Sequence, residues 1–178
     1  MPQLTERFDS AVEFVNQAVL LDLREAFRER REIAMHSLIL ARKTPDGEPI
    51  SSGIGVVIVP HAHHSRVQTR FVQQACVERC EAIGIVFIYE GYYAELEQGE
   101  TEKSLPGGSV SQHPNSVECV CAMLEHREGT ALWRIPILRP EGETPRLGEV
   151  VTVVTEGRSL GGFFSGYVRP NLHDVNVN

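Results

Sequence analysis

The architecture turns on GIGVVIVPHAHHSRVQTRFVQQACVERCEAIGIVFIYEGYYA, residues 53–94. Gly53–Val59 is an almost unbroken β-branched run, the pattern of a strand buried on both faces, and Pro60 ends it. Ser65, with Gln68 three residues on, forms a capping box that predicts a helix start. Val67, Phe71, Ala75, Cys76, Cys80 and Ile83 supply the helix's apolar stripe, and Gly84 stands where a helix C-terminus favours positive φ. Ile85–Tyr89 follows as a second buried strand, running on toward Ala94. Strand, helix, strand predicts a βαβ unit over 53–94, its two strands paired in parallel through a right-handed crossover.

Upstream, Gln3–Thr44 contains neither Pro nor Gly. Phe8, Val12, Val15, Val19, Leu23 and Phe27 recur at helical spacing, with Glu13, Asn16, Asp22, Arg24, Arg28 and Arg31 off the stripe. One long helix or two abutting ones are predicted over 5–32. His36–Lys43 reads as a strand closed by a turn at Thr44-Pro45-Asp46-Gly47-Glu48. Downstream, Val117–Glu125, Ala131–Leu138 and Gly148–Thr155 are separated by turn-like segments, which predicts an antiparallel meander over 116–155. The fold class is therefore α+β: one domain, 1–178, with one mixed β-sheet and the N-terminal helical segment packed on it. Two segments stand apart. The loop 97–115 is rich in Gly, Pro and acidic residues and is predicted to be the most mobile internal stretch, cut first by proteases near Lys103. The tail 157–178 carries Gly161, Gly162, Gly166, Phe163, Phe164 and Tyr167.

The chain has 178 residues and a formal charge of −7, from 24 acidic and 17 basic residues. That balance argues against nucleic-acid or anionic-membrane partners. Arginines cluster at Arg24, Arg28, Arg30 and Arg31, but Glu25, Glu29 and Glu32 interleave with them, as on a solvated helix face. No apolar run approaches the roughly 20 residues that span a bilayer. The N-terminus has neither the basic nor the apolar region of an export signal. A soluble, cytoplasmic protein is the expectation.

The chemistry-bearing residues fall in a few places. Cys76 and Cys80 share a helix face, and Cys119 and Cys121 share a strand face, but neither pair lies on the tight turn of a usual zinc site. Small buried hydrophobes are the reading for all four. His61, His63 and His64 sit between a strand and a helix start, where sites form in α/β sheets. They read either as metal ligands, His61 and His63 projecting together, or as a solvated loop. The HxH spacing is similar to motifs of metallo-β-lactamase-like hydrolases and of JAMM metallopeptidases. Ser65 and Arg66 stand where the first has Asp and His, and the Ser-x-x-Asp of the second is missing. Glu90, at the end of the Ile85–Tyr89 strand, is the best single carboxylate, with Tyr92 and Tyr93 beside it. Phosphate loop, nucleophile elbow and H-E-x-x-H signatures are all missing.

Ile85–Ala94 and Ser111–Leu138 together resemble a group of uncharacterised bacterial and phage proteins. There, a strand of type VVxxSEAW precedes a segment like HPDRxEVLxVxxED. Glu90 matches the acidic residue of the first motif, and His113, Pro114 and Glu118 match the second; Tyr89 and Gly91 depart from Ser and Ala. The resemblance implies no activity, but it marks Glu90, His113 and Glu118 as a candidate polar cluster. The expectation for function is a non-catalytic accessory or binding protein that self-associates. The alternative is a small metal-dependent hydrolase using His61, His63 and Glu90. No catalytic, cofactor-binding or metal residue is assigned, no cofactor is implied, and no small-molecule ligand is identified.

Overall fold

A computed structural model describes residues 4–29, 33, 35–61, 66–94, 109–156 and 167–168. His63, His64, Ser65, Lys103, residues 97–108 of the predicted loop and all of the tail except Tyr167 and Val168 lie outside the described residues. The fold is α+β. One N-terminal helix, written as α1 (Phe8–Phe14), a π-turn (Val15–Val19) and α2 (Leu20–Arg28), precedes β1 (His36–Ala41) and β2 (Gly55–Pro60). Then come α3 (Arg66–Arg79), β3 (Ala82–Tyr93), a 3-10 turn (Val110–Gln112), β4 (Val117–His126), β5 (Gly129–Leu138), β6 (Arg146–Leu147) and β7 (Val151–Glu156).

The strands form one sheet in the order β2-β1-β3-β4-β5-β6, with β7 also pairing β5. Every pairing among the described residues is antiparallel. This corrects the mixed sheet and the βαβ unit predicted over 53–94. β2 and β3 do run in the same direction, since both are antiparallel to β1, but β1 lies between them and they never pair. The reason is local. β1 and β2 are joined by short turns, with Gly47 and Gly53 at positive φ, so they zip into a hairpin before α3 begins. The crossover then lands on the far side of β1, whose Ser37–Ala41 are all buried.

β2 is consequently an edge strand rather than one buried on both faces. Ile58 is 66% exposed and Val56 38%. The helix stripe also needs correction. α3 turns Thr69, Gln73 and Val77 inward, with Cys80 buried just past its end, while Phe71 is 75% exposed and Ala75 faces solvent. Gly84 is no helix cap. The positive φ after α3 belongs to Glu81, at +48°, and Gly84 lies inside β3, where an added Cβ would meet the Glu125 carbonyl oxygen and the His126 ring at 3.2 Å.

The sheet is covered on both faces. On one, Leu38, Val86, Leu124, Trp133 and Ile135 pack against Phe8, Val15, Val19 and Leu23 of the N-terminal helix. On the other, Ile39, Ile85, Phe87 and Met123 pack under Val77, Cys80 and Tyr167. A bulge between Leu40 and Ala41 leaves Ile83 unopposed, which moves Ile83 to the first face while Ala82 and Ile85 take the second. Asn16, expected off the helix stripe, is exposed by area, yet its Oδ1 accepts the indole N–H of the fully buried Trp133 at 2.8 Å. The π-turn that carries Asn16 widens the helix at this point.

Candidate functional site

The α3-covered face holds a buried polar network at the end where β1 begins and β2 finishes. Ser37 and Gln73 have no exposed surface, and Tyr167 has 2%. The Gln73 amide nitrogen donates to Ser37 Oγ at 2.8 Å and to His61 Nε2 at 2.7 Å. Ser37 Oγ lies 2.7 Å from the same His61 nitrogen, and the Tyr167 hydroxyl donates to Gln73 Oε1 at 2.7 Å. An amide N–H aimed at His61 Nε2 requires a lone pair there, so the imidazole is neutral with its proton on Nδ1. Burial pushes the His61 pKa down, and the neighbouring His36 charge adds to the shift. The Ser37–His61 distance is that of a nucleophile and its base. However, Ser37 is sealed from substrate and the His61 acceptor is already shared with Gln73. The network therefore acts as a clasp, joining β1, the end of β2, α3 and the segment at Tyr167. Beside it, the Val168 backbone N–H donates to Glu125 Oε1 at 3.0 Å, and the Tyr167 ring lies 5.2 Å from that of Phe87.

A second cluster lies on the same face, across β3, β4 and β5. The register sets Tyr89 opposite Cys121 and Cys121 opposite Arg134, so all three side chains share a face. Cys119 Sγ and Cys121 Sγ are 3.4 Å apart, and all four cysteines are free thiols. The Arg134 guanidinium stacks 4.2 Å above the Tyr93 ring centroid. Among the described residues, the buried Arg134 Nε has no hydrogen-bond partner. Hydrogen bonding from Cys121 holds the Cys119 thiol below its ordinary value against the opposing effect of burial, and the Arg134 charge adds to the lowering. Cys121 is pushed up by its bond to Cys119 and by burial. Burial also raises Tyr89, whose hydroxyl bonds to Cys121.

The residues singled out in the sequence do not converge on one centre. His61 shares the Tyr89 face, whereas Glu90 follows Tyr89 in β3 and so points to the opposite, Ile88 face, where it is exposed. Glu118 is on that face too, opposite Tyr92, and is held in a bidentate pair by Arg139 at 2.9 and 3.1 Å. Glu118 is the main cause of Arg139's raised pKa, and Glu90 contributes from further off, so these two carboxylates do share a neighbourhood. His113 is buried, its Nδ1 accepting the Asn115 N–H at 3.1 Å. Among the described residues, no group of three or more His, Cys, Asp or Glu side chains is placed to hold a metal, and no helix is long and apolar enough to cross a membrane. A surface hollow of about 470 Å³ is lined by Arg7, Phe8, Asp9 and Glu128. Its charges are already engaged, Arg7 with Asp9 and Glu128 with the Phe8 N–H.

Sequence reasoning missed Ser37, Gln73 and Arg134. One signal existed for Gln73. Thr69, Gln73 and Val77 stand at i, i+4 spacing on α3, competing with the more apolar Val67–Phe71–Ala75 row. No family model, curated protein or solved structure matches this chain.

Proposed function

We propose that the protein is a non-catalytic binding or accessory protein that works as a homo-oligomer, two copies joining their sheets through the β2 edges. The carrying observation is the edge itself. β2 pairs with β1 on one side and with no described strand on the other. Edge strands are ordinarily guarded by charge, bulges or a covering element. Gly55–Pro60 has no charged residue and leaves Ile58 66% exposed, with Pro60 at its end as the lone guard among the described residues. Val56, 38% exposed and two residues before Ile58 on the same face, extends the apolar surface.

A second copy suits this edge better than another partner. An antiparallel edge is self-complementary about a two-fold axis, and such an axis normal to the sheet sets the central residues of β2 against their own copies. The chain's charge of −7 opposes self-association in general, but none of that charge lies on β2. The buried Ser37–His61 pair and the dispersal of His61, Glu90 and Glu118 support a binding role rather than a hydrolytic one.

Size-exclusion chromatography with light scattering tests the proposal. The expected mass is twice 19.8 kDa. Ile58→Lys, which adds the charge that guarded edges carry, should give a monomer with unchanged circular dichroism. A wild-type monomer at micromolar concentration, or an Ile58→Lys protein that stays dimeric, overturns it.

A further inference from the structure

We infer that Cys119 and Cys121 form a peroxide-sensitive dithiol, in which Cys119 is oxidised and Cys121 resolves it to an intrastrand disulfide. The geometry carries this. The two sulfurs face each other at 3.4 Å within one strand, already in contact and about 1.4 Å beyond bonding distance. The Arg134 cation acts on both, and its Nε, buried and without a partner among the described residues, is a donor not committed elsewhere. A thiol is activated by such a cation and by a hydrogen bond to its anion, and Cys119 has both. Among the described residues, α3 packs on β1 and β3, and the two cross-strand neighbours of Cys121 on this face, Tyr89 and Arg134, are only partly buried. The two cysteines are 1% and 5% exposed, so a small oxidant is the class that fits, not a bulky disulfide. The other pair lacks this arrangement: burial pushes the Cys80 thiol up.

The chemistry balances with hydrogen peroxide as the oxidant. The Cys119 thiolate attacks one peroxide oxygen, forming S–O as O–O breaks. The departing hydroxide takes the thiol's proton and leaves as water. The Cys121 thiol then gives up its proton and attacks Cys119 Sγ, so S–S forms, S–O breaks and a second water departs. Two thiols and one peroxide become one disulfide and two waters. Residues two apart in a strand have Cα atoms about 6.6 Å apart, near the upper limit of disulfide geometry at about 6.8 Å. Their Cβ atoms start wider than the roughly 3.5–4.5 Å that a disulfide holds, so bridging puckers β4 at Val120. The bond is therefore of the readily reduced kind that suits a reversible modification.

The test uses the full chain with limiting hydrogen peroxide, alkylation of remaining thiols, and peptide mapping before and after dithiothreitol. The expected result is loss of two of the four thiols, mapped to a Cys119–Cys121 link that dithiothreitol reverses, with Cys76 and Cys80 still alkylated. In Cys121→Ser, Cys119 should stop at the sulfenic acid and be trapped by dimedone. Arg134→Gln should slow the first step about tenfold, the effect of about one pKa unit on a thiolate, while Arg134→Lys restores most of the rate. Trp133 emission checks that each variant is folded. Oxidation of Cys76 before Cys119, overoxidation of Cys119 with Cys121 present, or a wild-type rate in folded Arg134→Gln overturns the inference.

Discussion

Asn16→Ala isolates one buried hydrogen bond and reads it with a built-in probe. Trp133 is the chain's single tryptophan, fully buried, and its indole N–H is satisfied by Asn16 Oδ1 at 2.8 Å. Deleting the acceptor leaves a buried donor unpaired, at a cost of about 1–3 kcal/mol. Alanine is the better helix former by up to about 0.7 kcal/mol, which offsets part of that loss. At the full offset the net destabilisation is about 0.3–2.3 kcal/mol. With a urea slope of about 2 kcal/mol/M, the unfolding midpoint should fall by about 0.2–1.2 M. Urea titration followed by Trp133 fluorescence measures this directly, because no other indole contributes. Asn16→Asp retains an acceptor and has a similar helix propensity, so it should unfold within about 0.5 kcal/mol of wild type. If Ala and Asp variants both unfold at the wild-type midpoint, Asn16 does not satisfy the indole and the role given to the π-turn is wrong.

Two further outcomes follow from the buried clasp. The pKa of His61 is lowered in the native state, so the unfolded chain takes up this proton first, near about pH 6.5. Its stability contribution is complete above that value and is lost as pH falls through it. In denaturant titrations at pH 7.5 and 5.5, His61→Asn should show a shallower loss than wild type; equal slopes would exclude a neutral native His61. Tyr167→Phe removes the donor to Gln73 Oε1 and should cost about 1–3 kcal/mol. Burial raises Tyr167 to about 12, so its contribution holds below about pH 10 and disappears as pH climbs through 12. The Phe variant should lack that alkaline component, and an identical alkaline profile in the two proteins would remove Tyr167 from the clasp.

Much of the secondary structure was legible from periodicity alone. The Phe8–Val15–Val19–Leu23 row marks the N-terminal helix because a one-sided apolar stripe has one burial solution, and that row packs on the sheet. Ile85–Tyr89 marks the core of β3 for a similar reason: its apolar residues have no polar side to show to water. The Cys119–Cys121 pairing was also readable, since strand alternation puts i and i+2 on one face whatever the topology. Strand order was not. Adjacent strand–helix–strand segments look alike whether the strands pair or flank a third, and it is the long-range pairing of β3 with the free side of the local β1–β2 hairpin that sets β1 between them. That one placement made β2 an edge and left Ile58 exposed despite its composition. The inward face of α3 was equally hidden, because Gln73 is tolerated in the interior once Ser37, His61 and Tyr167 arrive from three other segments to satisfy its amide. Hydropathy scores a side chain alone, whereas a buried polar group is stable only with partners, and those partners are set by the tertiary fold.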